Sequence, residues 1–306
     1  RRAIMTTPPS PRFQTACYRL PPQTWFGISA VFHYLGPAFA VMLFPSVGVL
    51  GVAWLRIATA AAVFAPLTRP WRTFLHADAR TRFLLIGLGA CLAVMNTSFY
   101  LALDRLPMSL VAAMEFLAVL AVALYGVRTW RNLGALILVI CGILLLIDIA
   151  WVNNPAGLLW STLNAALFAV YVILGHKAAE AGAGSGVEHL GTAMAIALLL
   201  LFPVGLIQAL HVFGAPQLLL AGIGVGICSS VIPYTCDQLA MSRLPRASFA
   251  LMLSLLPALA TVIAAIVLAQ IPSVRDLLGI ALVMTGVALH TPQSTAACKE
   301  TTDDAA

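Results

Sequence analysis

The stretch Met108–Val127, MSLVAAMEFLAVLAVALYGV, carries one charged side chain, Glu115, in an otherwise apolar run. About 20 apolar residues in a helix, each rising about 1.5 Å, are enough to cross the roughly 30 Å hydrocarbon layer of a bilayer. The stretch therefore predicts a membrane-spanning helix with one acidic group near its middle.

Similar apolar runs recur along the 306 residues, of which 61% are hydrophobic and 9% charged, against about 25% charged residues in a soluble domain. No segment alternates apolar and polar residues as the strands of a membrane β-barrel do. The predicted fold class is therefore all-α integral membrane, with ten transmembrane helices. The predicted spans are Trp25–Phe44, Val47–Thr68, Phe83–Leu103, Met108–Val127, Asn132–Ile149, Ala156–Gly175, His189–Leu210, Gln217–Cys236, Ser248–Leu268 and Leu277–Thr291.

The basic residues lie almost entirely on one side of these spans. With the N-terminus inside, fourteen of the 17 Lys and Arg residues fall on the cytoplasmic side, Arg105 and Arg275 fall outside, and Arg56 lies within a span. Short cytoplasmic loops are enriched in Lys and Arg. The distribution predicts a multi-pass protein of the bacterial inner membrane with both termini in the cytoplasm. It offers no clustered basic patch for a nucleic acid.

Two similar segments indicate an internal repeat. Leu101–Pro107, LALDRLP, and Leu239–Pro245, LAMSRLP, each lie between the third and fourth spans of a half. Because five is an odd number, two copies of a five-helix unit face opposite ways in the membrane, as in many secondary transporters. We predict inverted repeats at residues 25–150 and 151–291, with polar cytoplasmic tails at residues 1–24 and 292–306, the first disordered and not a cleavable signal peptide.

The six cysteines show no paired spacing, and four of them lie inside apolar spans. We predict no disulfide, no metal site and no cofactor. No HExxH, G-x-S-x-G or Walker motif is present, so neither a membrane enzyme nor a nucleotide-driven pump is indicated.

Several short segments together resemble one family of membrane transporters. They are Leu43–Pro45, Trp54–Ala58, Met95–Tyr100, Ala112–Phe116, Ile232–Tyr234 and Ser242–Pro245. With them the sequence resembles the EamA-type members of the drug/metabolite transporter superfamily, from Phe32 to Leu289. The resemblance implies a ten-helix exporter of small metabolites, often amino acids, with a central cavity enclosed by both halves.

The chain departs from the family pattern at three places. Val41 stands where the family often has a lysine, Leu256 precedes Pro257 where Glu-Pro is frequent, and Ala269-Gln270 replaces a Gly-Glu pair. The cargo and its coupling to an ion therefore do not transfer with the resemblance.

Ionisable groups inside a membrane usually face a partner, a cavity or a transport pathway. Glu115 could bind a substrate ammonium or take up a proton, and Arg56 could bind a substrate carboxylate. The alternatives are a structural pair between the two, or an interfacial anchor in the case of Arg56. The sequence leaves these readings open.

Further candidates are uncharged side chains within the predicted spans, together with one aspartate. Asn96 and Tyr100 share a face of the third span, where they line a pore or hold helices together. The remaining candidates are His33 and Tyr34 before a Gly-Pro pair, Asn164 and Tyr171 on one face of the sixth span, and Tyr234 and Asp237 after Pro233. Ordinary packing is the alternative for each of these, and a solvated helix end is the alternative for Asp237.

The expected partners are the lipid bilayer and a small-molecule substrate, and a homodimer is left open. We expect secondary transport by alternating access. An uncoupled channel-like facilitator and a structural or sensory membrane protein are the competing functions. A channel usually shows a filter loop or rings of like charge, and neither is visible in this sequence.

Overall fold

The computed structural model describes residues 21–126, 129–146, 154–180, 186–241 and 255–289, which are helical apart from short connections. Outside this part of the chain are residues 1–20 of the first predicted tail, the whole second tail, and residues 127, 147–149, 248–254 and 290–291 of four predicted spans. Residues 242–245 of the second repeat segment are outside it as well, whereas residues 22–24 of the first predicted tail belong to the first helix. The helices are α1 (Pro22–Val47), α2 (Val49–Thr68), α3 (Pro70–His76), α4 (Ala79–Leu103), α5 (Met108–Gly126), α6 (Trp130–Leu146), α7 (Pro155–Glu180), α8 (Gly186–Ala209), α9, α10 (Leu256–Val267) and α11 (Val274–Leu289).

Two of these helices contain an irregular turn. A 3₁₀ turn, Leu210–Gly214, continues α8, while α9 is a continuous helix made of Pro216–Gly226, a π-helical stretch Ile227–Val231, and Ile232–Met241. The all-helical class predicted from the sequence is confirmed. Within the described ranges, five helical stretches are long and apolar enough to cross a membrane, namely Gln23–Val47, Val49–Thr68, Ala79–Leu103, Glu188–Gly214 and Pro216–Cys236.

Local sequence signals explain where several helices begin and end. Gly48 separates α1 from α2 with a φ of +81°, a conformation that favours glycine. Asp78 begins α4 by accepting a hydrogen bond from the Thr81 backbone N–H at 3.3 Å, and hydrogen bonding with Thr81 lowers the pKa of Asp78. A reciprocal capping box begins α11, because Asp276 Oδ2 accepts from the Ser273 N–H at 2.8 Å and Ser273 Oγ accepts from the Asp276 N–H at 3.2 Å.

The short helix α3 is an element that the hydropathy pattern did not predict. It begins with Pro70 after Arg69, which adopts a left-handed conformation with a φ of 46°. Arg82 closes its other end, since Nε and Nη2 donate to the carbonyl oxygens of Phe74 and Leu75 at 3.1 and 2.7 Å. Seven residues are too few to cross a membrane, and exposed basic side chains around α3 suit a helix at the membrane surface.

Helices of the first half of the chain pack mainly on helices of the second half. The contacts join α1 to α9 and α10, α2 to α8 and α9, α4 to α7 and α8, α5 to α7 and α10, and α6 to α11. The buried core therefore lies between the two halves and draws side chains from both.

The contact between α6 and α11 depends on two facing glycines, Gly142 and Gly279. A Cβ atom added at Gly142 would lie 2.5 Å from the Gly279 carbonyl oxygen, and one added at Gly279 would lie 2.8 Å from the Gly142 carbonyl oxygen. Small residues allow membrane helices to approach this closely. Gly134, also on α6, has nothing within 4 Å of such an atom.

We expect Gly142→Ala to destabilise the protein by about 1–3 kcal/mol, because the added methyl group overpacks the α6–α11 contact. The matched control Gly134→Ala should leave stability unchanged or raise it slightly, since alanine favours a helix over glycine. Thermal unfolding of the detergent-purified variants measures both effects. Equal unfolding temperatures for the two variants would contradict this account of the contact.

Candidate functional site

Arg56 lies in the middle of α2 and is 7% exposed. Its Nε donates to Ser230 Oγ at 2.9 Å, and its Nη2 donates to the Ser229 carbonyl oxygen at 3.1 Å. The guanidinium carbon lies 5.4 Å from the centre of the Tyr100 ring, within the range of a cation–π interaction. One cation therefore joins α2, α4 and α9, and its head group lies inside the protein rather than at the surface of the bundle.

The local sequence of α9 removes the usual α-helical donor to the Ser229 carbonyl oxygen, which accepts from Arg56. In an α-helix this oxygen would accept a hydrogen bond from the N–H of residue 233, but Pro233 has no N–H to donate. The turn around Ser229 is π-helical, a form that occurs frequently at functional sites. Gly36 of α1 allows the approach of this turn, since a Cβ atom there would lie 2.5 Å from Ser229 Cα.

Glu115 lies on α5 beside the buried residues Ala112 and Ala113 and retains partial exposure. Its Oε1 accepts a hydrogen bond from Asn164 Nδ2 of α7 at 2.7 Å. The charge of Arg56 acts on Glu115, but the two form no ion pair within 4.0 Å in the described part of the chain. The direct structural pair considered from the sequence is therefore not what the structure shows, because each charge has a neutral partner instead.

Two aromatic residues of α1 lie close to these charges. The rings of His33 and Tyr34 meet edge to face with centres 5.2 Å apart. His33 interacts electrostatically with Arg56, and Tyr34, which is 1% exposed, interacts with Glu115. These side chains together form a polar centre that comprises His33, Tyr34, Arg56, Tyr100, Glu115 and Asn164. Five long helices, α1, α2, α4, α5 and α7, supply it, and the π-helical turn of α9 is a sixth contributor.

Tyr100 contacts Arg56 in the polar centre, while Asn96 forms a hydrogen bond within its own helix. Tyr100 is fully buried beneath Arg56, and its hydroxyl has no hydrogen-bond partner. Asn96 Nδ2 donates to the Leu92 carbonyl oxygen of its own helix at 2.7 Å. This local bond occupies one of the two N–H donors of the Asn96 amide.

The other candidates lie further along their helices. Tyr171 stacks on Phe168 of the same helix with ring centres 6.1 Å apart. Tyr234 is partly buried and packs against the core after Pro233. Asp237 lies in the helical stretch Ile232–Met241, and its side chain is outside the described residues.

Sequence reasoning missed the partners of Arg56 on α9. Ser229 and Ser230 were overlooked because a serine in a membrane helix is common and carries no charge. The signal that could have found Ser229 is its position four residues before Pro233, which predicts a carbonyl oxygen without its usual donor. No pattern in the sequence pairs Ser230 with Arg56, because their contact is set by tertiary packing across 174 positions.

A cavity lies apart from this polar centre. It has a volume of about 380 Å³ and opens at the end of the bundle where α5 and α11 begin, and residues of α5, α6, α10 and α11 line it. Two of its polar side chains bond to the backbone, since Gln270 Oε1 accepts from the Met108 N–H at 3.3 Å and Asp276 caps α11. None of the candidate site residues named from the sequence lines this cavity.

The described residues contain no group of three His, Cys, Asp or Glu side chains that could hold a metal ion. The four described cysteines, Cys91, Cys141, Cys228 and Cys236, are free thiols. The polar centre offers hydrogen-bond donors, acceptors and one charge of each sign. Such a set can bind and release a charged molecule.

The family match covers the second half of the chain, whereas the matches to individual relatives cover most of the whole chain. Residues 155–291 match the EamA-like transporter family. The chain is 31% identical over 230 residues to the threonine/homoserine exporter RhtA of Salmonella typhimurium (strain LT2) and to that of Escherichia coli (strain K12). These alignments cover 74% of this chain and 76% of each relative.

A solved crystal structure of a protein has the same fold as the chain. It superposes with a TM-score of 0.57 at 19% identity, covering 87% of this chain and 96% of the other. At this identity the likeness concerns the fold alone. Together with the long apolar helices and the relatives, these findings show that the chain is a multi-pass membrane protein that belongs to the EamA-like transporter family.

Proposed function

We propose that the protein is a secondary transporter that exports a small amino-acid-like metabolite across the bacterial inner membrane. The observation that carries the proposal is the polar centre of Arg56 and Glu115, assembled between the two halves of the helix bundle. The relatives are threonine/homoserine exporters, which supports an amino acid as the cargo.

The charges of the polar centre complement those of an amino acid. Arg56 and Glu115 are held by neutral groups rather than by each other, so each charge is available to a ligand. A guanidinium binds a carboxylate through charge-assisted hydrogen bonds, and a carboxylate binds an ammonium in the same way. An α-amino acid carries both groups a few bonds apart.

The helix contacts support an inverted repeat of ten spans, with α3 as a surface helix. When α1, α2, α4, α5 and α6 are exchanged for α7, α8, α9, α10 and α11, the contacts between the two halves described above map onto one another or onto themselves. The contact of α1 with α9 maps onto that of α4 with α7, and the contacts α2–α8 and α6–α11 map onto themselves. Two such halves rocking around a central site provide alternating access.

Cysteine labelling tests the proposed orientation, in which both termini are cytoplasmic. In a cysteine-free background, Asp276→Cys should react with a membrane-impermeant maleimide in intact cells. Arg72→Cys should react only after permeabilisation, because the basic α3 region stays inside. Arg72 is exposed in the structure, and Asp276 is partly exposed. The reverse pattern would reject the orientation.

Counterflow in proteoliposomes tests the transport activity itself. Preloading with unlabelled L-threonine, L-homoserine or another amino acid should drive saturable uptake of the same labelled compound, because a site that alternates between the two sides exchanges its occupants. Repeating the assay with an imposed pH gradient shows whether protons are coupled to transport. Flux that rises without saturation would indicate a channel, and no flux across the panel would reject the transporter proposal.

Glu115→Gln and Arg56→Lys test the two charges of the polar centre. Glu115→Gln removes the charge that attracts the ammonium, and Arg56→Lys retains a charge but cannot reproduce both serine contacts. Hydrogen bonds to charged groups contribute about 1.5–3 kcal/mol, so each variant should lose about tenfold or more in exchange efficiency. Glu188→Gln and Arg82→Lys, which make the same substitutions outside the polar centre, are the controls. Variants that are well expressed and exchange at the normal rate would remove Glu115 and Arg56 from the site.

A further inference from the structure

Two buried acceptor atoms on α7 have no hydrogen-bond partner among the residues that the structure describes. They are Asn164 Oδ1 and Ser161 Oγ, on residues that are 1% and 0% exposed. Buried polar atoms in proteins nearly always have a partner, and an unpaired one requires an explanation. Asn164 lies where α7 packs on α5 and contacts Glu115, and Ser161 is three residues before it on the same helix.

The hydrogen bond of Asn164 with Glu115 sets the orientation of the Asn164 amide. An ionised carboxylate only accepts hydrogen bonds, so the amide presents Nδ2 to Glu115 and leaves Oδ1 as an unused acceptor. Ser161 precedes Asn164 by one turn on the same side of α7, about 4.5 Å along the helix axis.

Ser161 differs from other hydroxyl residues in the membrane helices. Its neighbour Thr162 donates to the Leu158 carbonyl oxygen of its own helix at 2.8 Å, and Ser98 donates to the Val94 carbonyl oxygen at 2.7 Å. The Ser161 hydroxyl makes no such bond and therefore remains available to a ligand.

The helix directions bring Glu115 and Ser161 to a similar depth. Gly157 and Leu106 are in contact near the starts of α7 and α5, so the two helices run in the same direction. Long side chains in a helix point back toward its N-terminus, which carries the Glu115 carboxylate toward the level of Ser161. Ala112, one turn before Glu115, is a small buried residue.

We propose that Glu115, Asn164 and Ser161 form a binding subsite for a primary ammonium group, and that this subsite makes the protein prefer primary amines to N-methylated ones. A primary ammonium has three N–H donors, which match a Glu115 oxygen, Asn164 Oδ1 and Ser161 Oγ. An N-methyl group would leave one acceptor buried without a donor. The inference rests on the proposed function and adds the chemical group that the cargo presents.

Competition in the counterflow assay tests the subsite, with labelled L-threonine as the probe and N-methyl-L-threonine as the competitor. The wild type should bind the N-methyl compound about tenfold more weakly, as expected for one lost hydrogen bond to a charged group. Ser161→Ala should weaken threonine binding by a similar factor and abolish the difference between the two compounds. Ser98→Ala, which removes a hydroxyl that serves its own helix, should behave as wild type. A Ser161→Ala variant with the wild-type ratio would overturn the proposal.

A binding measurement separates this proposal from the transporter proposal. Thermal unfolding of the purified full chain is recorded with n-propylammonium or tetramethylammonium chloride, and only the primary cation should stabilise the wild type. If threonine is not exchanged but n-propylammonium stabilises the wild type and not Ser161→Ala, the subsite stands and the amino-acid cargo falls. Equal effects of the two cations on the wild type, or no effect of either, would overturn the subsite.

Discussion

A guanidinium in the middle of a membrane protein must find hydrogen-bond acceptors within the protein, and in this chain Pro233 supplies one indirectly. Because Pro233 has no N–H, the Ser229 carbonyl oxygen lacks its usual α-helical donor, and it accepts a hydrogen bond from Arg56. Removing a charge from water costs several kcal/mol. Two charge-assisted hydrogen bonds of about 1.5–3 kcal/mol each and a cation–π contact of about 2 kcal/mol with Tyr100 are of the same size.

Among the residues that the structure describes, Glu115 has no direct counter-ion. If Arg56 bound the carboxylate in a buried ion pair, both charges would be consumed by a structural contact. Instead Asn164 holds Glu115 through a neutral amide, while Arg56 is held by α9. The polar centre therefore keeps one charge of each sign on α2 and α5 of the first half, and each charge is held by a neutral group of the second half. The proposed carrier of zwitterions needs that combination, and rocking of the halves would change the distance between each charge and its neutral partner.

The sequence predicted the elements more completely than the contacts between them. Apolar runs of membrane length located the long helices, because the thickness of the bilayer fixes how many residues a span needs. The short helix α3 and the π-helical turn of α9 were not predicted. Hydropathy does not register the local backbone effect of a single proline, such as Pro70 or Pro233. Glu115 and Arg56 were singled out because charges in hydrocarbon are rare, and the structure gives each a polar partner on a distant helix. Their partners were not predicted, because Ser229, Ser230 and the Glu115–Asn164 bond depend on how distant helices pack.

The most direct test of the account is the distance between a bound cargo and the polar centre. Solid-state NMR on the membrane-reconstituted protein can measure the separation of the nitrogen of ¹⁵N-labelled L-threonine from the side-chain carboxyl carbon of ¹³C-labelled Glu115. A hydrogen-bonded ammonium places these two nuclei about 4 Å apart. The account predicts a dipolar coupling of that size, which should disappear in Glu115→Gln while the protein remains folded. Saturable threonine binding with no measurable coupling to Glu115 would place the substrate elsewhere and contradict the central claim.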